Sequence, residues 1–107
     1  MPTSIHMKEL KDKYNHLAPG ELILDVRTSE EFAVSHVPGA KNITHEDVQK
    51  HSNELARYSK IYVHCKSGKR AQYAVDVLTQ AGLTHLVLVK DSGMLDWDAL
   101  GFPVEQS

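Results

Sequence analysis

The apolar positions of the chain follow two rhythms. Uninterrupted runs at Leu22 to Val26 (LILDV), Ile61 to Val63 (IYV) and Leu86 to Val89 (LVLV) have the pattern of strands buried on both faces, because a strand with one face in water alternates apolar with polar residues. Ala71, Ala74, Val75, Leu78 and Ala81 instead recur at helical spacing, and Gly82 follows in the position of a C-cap. Strands alternating with helices predict an α/β domain with a parallel sheet and helices on its faces. The runs and the stripe together predict a core of Ile23, Leu24, Val26, Ile61, Val63, Ala74, Val75, Leu78, Leu86 and Leu88.

Weaker signals fill the intervals. Met7, Leu10, Tyr14 and Leu17 lie on one helical stripe, which predicts a first helix over Met7 to His16 that stops before Pro19-Gly20, with a very short edge strand beginning at Ile5. Thr28 and Glu31 have capping-box spacing and predict a short helix through Phe32 and Val34. After the Pro38-Gly39 turn, Ala40 to Ile43 reads as another short strand, and Thr44 with Asp47 repeats the cap spacing ahead of a helix that turns Val48 and Leu55 inward. Met94, Leu95, Trp97 and Leu100 suit a final short helix covering the sheet.

Composition narrows the class. With 107 residues, 41% hydrophobic and 24% charged, the chain is expected to form one domain over 1–107 with its core at about 4–104, and a radius of gyration of about 13 Å. A formal net charge of -2 without a long basic run argues against binding to nucleic acid. No run approaches the ~18 apolar residues of a membrane span and the N-terminus lacks the apolar core of a signal peptide, so a cytoplasmic protein without a membrane partner is the default expectation. One cysteine makes neither an internal disulfide nor a thiolate metal site, and the seven histidines show no compact ligand spacing, so neither a metal nor another cofactor is expected.

That single cysteine holds the most informative position. Cys65 follows the central apolar run, and Lys66-Ser67-Gly68-Lys69-Arg70 leads from it into the most regular helix. A strand, a tight loop and a helix start can aim several backbone N–H groups at one point, at the positive end of the helix. Gly68 supplies backbone freedom and Ser67 a local cap. The dipoles, with Lys66, Lys69 and Arg70 close by, favour thiolate over thiol. A lone cysteine is often a small core residue, but this one stands at the carboxyl end of a predicted parallel strand, where open sheets of this kind collect ligands.

Five segments in order resemble the single-domain rhodaneses, the sulfurtransferase family. They are Leu24-Asp25-Val26-Arg27, Glu30-Glu31-Phe32, His36 to Ile43 (HVPGAKNI), Val63 to Ala71 (VHCKSGKRA), and Met94 and Trp97 with Gly101-Phe102-Pro103-Val104. Ser92-Gly93 departs from the family's usual Gly-Gly. The resemblance implies a three-layer rhodanese-like domain with a central five-stranded parallel sheet flanked by helices. It also implies a thiosulfate sulfurtransferase: the Cys65 thiolate attacks the outer sulfur of thiosulfate, sulfite leaves, and the persulfide passes its sulfur to cyanide or a small thiol. The alternative is a persulfide carrier or protein-interaction module of the same fold, which serves a dedicated partner such as a protein sulfur acceptor. The Cys65-to-Arg70 loop has the form C-x4-R, one residue shorter than the C-x5-R loop of the cysteine phosphatases, and its smaller cradle suits a single sulfur atom.

Other residues take supporting parts. Cys65 is the expected catalytic residue, and Lys66, Ser67, Gly68, Lys69 and Arg70 are expected to bind substrate, the cations by steering an anion. Asp25 and Arg27 lie at the carboxyl end of the first buried strand, the end of the parallel sheet that Cys65 shares. Asp25, inside an apolar run, demands a partner; Arg27 lies nearer the surface, where the resemblance has it facing the pocket. His64 points to the opposite strand face from Cys65, which leaves it a packing role, and His36 is expected to order the Pro38-Gly39 turn.

Overall fold

The structure is a computed structural model that describes residues 3–106. Five parallel strands, β1 (Thr3–Ile5), β2 (Glu21–Asp25), β3 (Lys41–Asn42), β4 (Lys60–His64) and β5 (Leu86–Val89), form one sheet in the order β1-β5-β4-β2-β3. The helices are α1 (Met7–Lys11), α2 (Ser29–Val34), α3 (Ser52–Leu55), α4 (Lys69–Gln80) and α5 (Met94–Ala99), and a 3-10 turn over Val48–His51 precedes α3. This is the three-layer α/β architecture expected, with a Cα radius of gyration of 12.3 Å.

The strand order locates the site. The chain leaves β2 toward β3 on one side and leaves β4 toward β5 on the other, so the carboxyl ends of the adjacent strands β2 and β4 open at the point where the winding reverses. Connections diverge there and leave a crevice. In this register Asp25 sits beside His64, one residue ahead of Cys65.

Alternation along the strands divides the core in two. Leu22, Leu24 and Val26 of the β2 segment and Ile61, Val63 and Cys65 of the β4 segment pack with Ala71, Ala74, Val75 and Leu78 of α4, and with Val48 and Leu55. Ile23 and Tyr62, on the opposite face, pack with Met7 and Leu10 of α1 and with Met94 and Trp97 of α5. All ten residues of the predicted core are buried. Among the described residues no helix is long and apolar enough to cross a membrane.

Three local expectations are corrected. The first helix ends at Lys11, after which the chain continues in turns to His16; this path brings Tyr14 edge-on to Trp97 at 5.5 Å, and tertiary packing overrides the stripe. Thr44 and Asp47 close a turn through a side-chain bond of 3.1 Å instead of capping a helix; a 3-10 turn starts at Val48 and α3 only at Ser52. Met94 and Trp97, three residues apart on one face of α5, are buried, whereas Leu95 lies on its outer face and Leu100, just past the end of the helix, is exposed.

Trp97 anchors the α1/α5 side, with Phe102 edge-on at 5.1 Å and its Nε1 donating to Pro103 O at 2.7 Å. Trp97→Ala is expected to cost about 3–5 kcal/mol by urea denaturation, the usual range for losing a large buried ring. Leu95→Ala, two residues away on the exposed face, is expected to stay within about 0.5 kcal/mol. Comparable losses in the two variants would refute this division of the helix.

Candidate active site

Cys65 follows β4 directly, and its side chain turns toward α4. Its Sγ accepts from Gly68 N at 3.1 Å and from Ala71 N at 3.4 Å. Ala71 is the third residue of α4, and Gly68, the N-cap, has no side chain to offer. The sulfur therefore takes the place of a capping group, satisfying an N–H that a helix start leaves unpaired, at the end where the helix dipole favours negative charge. Cys65 is 1% exposed.

Backbone packing holds the loop in this shape. Gly68 has φ of +115°, in the left-handed region, and a Cβ there would meet Asp91 N at 3.0 Å. Met94 N donates to Cys65 O at 2.9 Å and Leu95 N to Lys66 O at 3.2 Å, so the first turn of α5 rests on the loop carbonyls. A Cβ on Gly93 would lie 2.1 Å from Cys65 O, which makes glycine a requirement of close approach. Ser92, the residue that departs from the family's glycine pair, is buried; its Oγ accepts from Met7 N at 2.9 Å and donates to Lys90 O at 3.0 Å, tying the start of α1 to this turn.

The cations divide into two kinds. Lys66 and Ser67 on the loop, and Lys69 at the first position of α4, are exposed. Arg70 is held by Glu31 of α2 through bonds of 2.7 and 3.1 Å. Arg70 pulls the Glu31 carboxyl down to about 2 against the opposing effect of burial, with Thr28 assisting, and the arginine is pushed further up in return. Arg27 is buried, 5% exposed against 0% for Asp25, and lines the cleft beside the loop. Its Nε and Nη2 bind the Asp25 carboxylate at 3.0 and 2.7 Å, and Nη2 also donates to Ser35 O at 2.7 Å. Asp25, fully buried, further accepts from Arg27 N. Asn42 Nδ2 donates to the carbonyls of Asp25 and Arg27, fixing the β2 end.

The two histidines named from the sequence lie off the sulfur. His64 is on the opposite face of β4, fully buried, and neither ring nitrogen has a hydrogen-bond partner among the described residues. Burial pushes its pKa down, Asp25 opposing, so the ring is neutral at pH 7. His36 stacks on Phe32 at 3.7 Å, its Nδ1 lies 2.8 Å from Phe32 O, and its backbone pairs with Glu105.

Beside the loop, a cleft of about 220 Å³ opens between α2 and α5, lined by Arg27, Glu31, Val34, Ser35, Lys66, Met94, Leu95 and Asp98. Sequence reasoning found neither this cleft nor the Glu31–Arg70 pair. Glu31 stood out only as the partner of Thr28 in a capping box, a role it does fill; no local spacing connects it to an arginine 39 residues away.

Residues 6–100 match the profile of the rhodanese-like domain. The chain is similar to a putative sulfur carrier protein of Bacillus subtilis, at 39% identity over 75 residues, 70% of this chain and 40% of that protein. It is also similar to chloroplastic thiosulfate sulfurtransferase 16 of Arabidopsis thaliana, at 30% identity over 98% of this chain and 94% of that protein. The chain spans less than two thirds of the length of several curated relatives, 59% in the case of an uncharacterized Bacillus subtilis protein. Among solved structures, a rhodanese-like domain from an Anabaena protein superposes with a TM-score of 0.84 at 30% identity, covering 100% of this chain and 81% of that one. One from Staphylococcus aureus gives 0.81 at 32% identity, covering 98% of each.

The Glu31–Arg70 pair sets a pH dependence of stability. In the folded chain Glu31 stays ionised down to about pH 2, whereas unfolded it takes up a proton near 4.5. The pair's stabilisation is therefore complete above pH 4.5 and is lost as pH falls through about 2. Glu31→Gln is expected to lower the urea midpoint at neutral pH, and the gap from the parent is expected to close across that acid interval. A gap that stays constant down to pH 2 would show that the pair adds no pH-dependent stability.

Proposed function

The chain belongs to the rhodanese-like domain family, and from that premise we propose that it is a persulfide carrier, which takes a sulfane sulfur onto Cys65 and hands it to a thiol of a dedicated partner. The observation that carries this reading is the setting of the sulfur, buried at the start of α4 with two N–H groups on it. In loading, the Cys65 thiolate attacks the outer sulfur of a donor; a Sγ–S bond forms and the donor's own sulfur bond breaks, its electron pair leaving with the rest of the donor. In unloading, an acceptor thiolate attacks the outer sulfur of the persulfide, and the electron pair of the broken bond returns to Sγ. The negative charge stays near the same donors throughout, so no separate acid or base is needed.

In this reading Cys65 is the catalytic residue and Gly68 supplies both the left-handed turn of the cradle and one of its N–H groups. Lys66 and Lys69 attract an anionic donor or acceptor, with Ser67 between them at the mouth. Arg70, paired with Glu31, and Arg27, paired with Asp25, act chiefly as positioning residues, and His36 supports the turn behind α2. These pairings support a persulfide donor over thiosulfate, because a sulfonate group would meet two exposed lysines and no guanidinium free of a carboxylate. Thiosulfate as donor is the second reading; the exposed loop lysines and the similarity to a thiosulfate sulfurtransferase favour it.

Intact mass after exposure to a low-molecular-weight persulfide or to thiosulfate at equal concentration tests both. The parent is expected to gain one sulfur atom that dithiothreitol or cyanide removes, with loading from the persulfide about tenfold faster, a barrier difference of about 1.4 kcal/mol. Cys65→Ser is expected to fold and gain none, since a hydroxyl lacks the acidity and nucleophilicity for this attack. Loading by thiosulfate is expected to slow with added salt, which screens the lysines. Equal loading by both donors would favour the thiosulfate reading, and a parent chain that gains no sulfur from either would overturn both.

A further inference from the structure

The cleft between α2 and α5 has a composition that sulfur chemistry on Cys65 does not explain. Val34 at the end of α2 is 70% exposed and Leu95 on α5 is 58% exposed, and both line the cleft with Met94 at 1% exposure. Neither Val34 nor Leu95 belongs to either core cluster. Lys66 lines the same cleft, and its carbonyl receives the Leu95 N–H, so the cleft begins one residue from the nucleophile. Among the described residues Lys66 and Lys69 form no ion pair.

Size and charge select the occupant. At about 220 Å³ the cleft falls below the ~300–1,000 Å³ of pockets that enclose whole small molecules, and it suits a single large side chain. Cys65 is buried, so an acceptor must deliver its thiol to the loop mouth. An extended chain advances ~3.3–3.6 Å per residue, which puts a side chain one or two residues from an incoming cysteine over the cleft. The unpaired loop lysines call for negative charge on the other side of that cysteine.

We propose that this cleft and the Lys66/Lys69 edge form the docking surface for a protein sulfur acceptor, whose cysteine is flanked by an acidic residue on one side and a large aliphatic residue on the other. The aliphatic side chain enters between Val34 and Leu95 while the acidic one meets the lysines. The acceptor thiolate then attacks the outer persulfide sulfur, the Sγ–S bond breaks, its electron pair stays on Cys65, and the sulfur leaves on the acceptor. This surface rests on the carrier reading above.

The test uses the full chain, loaded with sulfur and verified by intact mass, and short synthetic peptides in which cysteine lies between Asp and Leu. Companion peptides carry Gly for Leu or Lys for Asp. The Asp/Leu peptide is expected to drain the persulfide about tenfold faster than the Gly peptide, the decade that burying most of a leucine side chain is worth. In Leu95→Glu and Val34→Glu that ratio is expected to fall to one, and Lys66→Glu is expected to reverse the preference for Asp over Lys. A parent that loads and then serves every peptide at one rate overturns the docking surface alone. A parent that never loads overturns the carrier reading with it. Self-association of the parent in sedimentation that Leu95→Glu abolishes would assign the face to a second copy of this chain and overturn the proposal.

Discussion

The contact between one sulfur atom and the first turn of α4 sets the terms for the rest of the structure. Helix starts leave N–H groups without partners, and here Gly68 offers no side chain to take them; the capping group comes from the end of β4 instead. For that to work, β4 must end in register with β2, the loop must reverse direction within three residues, and Gly68 must take a left-handed conformation. The same contact that completes the helix holds a nucleophile under the positive end of its dipole. Stability and reactivity thus draw on a single arrangement, and a change that loosens one disturbs the other.

Charge is distributed with the same economy. Of the four cations near the crevice, the two arginines are fixed by carboxylates and the two lysines are left to solvent. Arg27 and Asp25 stitch the end of β2 to the end of α2 through Ser35 O, and Arg70 with Glu31 stitches α2 to α4. Helix α2 buries no side chain fully, so these two links do for it what apolar packing does for α1 and α5. Paired charges shape the walls while exposed ones face whatever approaches.

Much of this was legible in the sequence, for a physical reason. Apolar runs such as Leu86 to Val89, only four residues long with two valines, favour buried strands over helices, and the stripe of α4 is long enough to fix its face. Cys65 was recognisable because a strand end, a glycine and a helix start fall within a few residues. What escaped were effects of contact between distant segments. The first helix gives way to turns where Tyr14 meets Trp97, and Arg27 is held against the Ser35 carbonyl at the end of α2 as well as against Asp25. Glu31 finds Arg70 across the crevice, and the cleft beside the loop is shared by α2 and α5, elements widely separated in the chain. Ser92 shows the reverse case: a departure from the family pattern that the fold turns into a tie between α1 and the α5 turn.

The seat of α5 on the loop also bears on how this scaffold can diverge. Because the Cys65 and Lys66 carbonyls lie against Gly93 and receive the N–H groups of Met94 and Leu95, the loop is bounded on its outer side as firmly as it is by the helix it opens. Lengthening it to encircle a bulkier anion is not a local edit: the added residue must either displace α5, and with it buried Trp97, or give up both bonds. A lineage that began with this geometry would therefore explore new chemistry more readily through the surface around the sulfur than through the size of the ring that holds it.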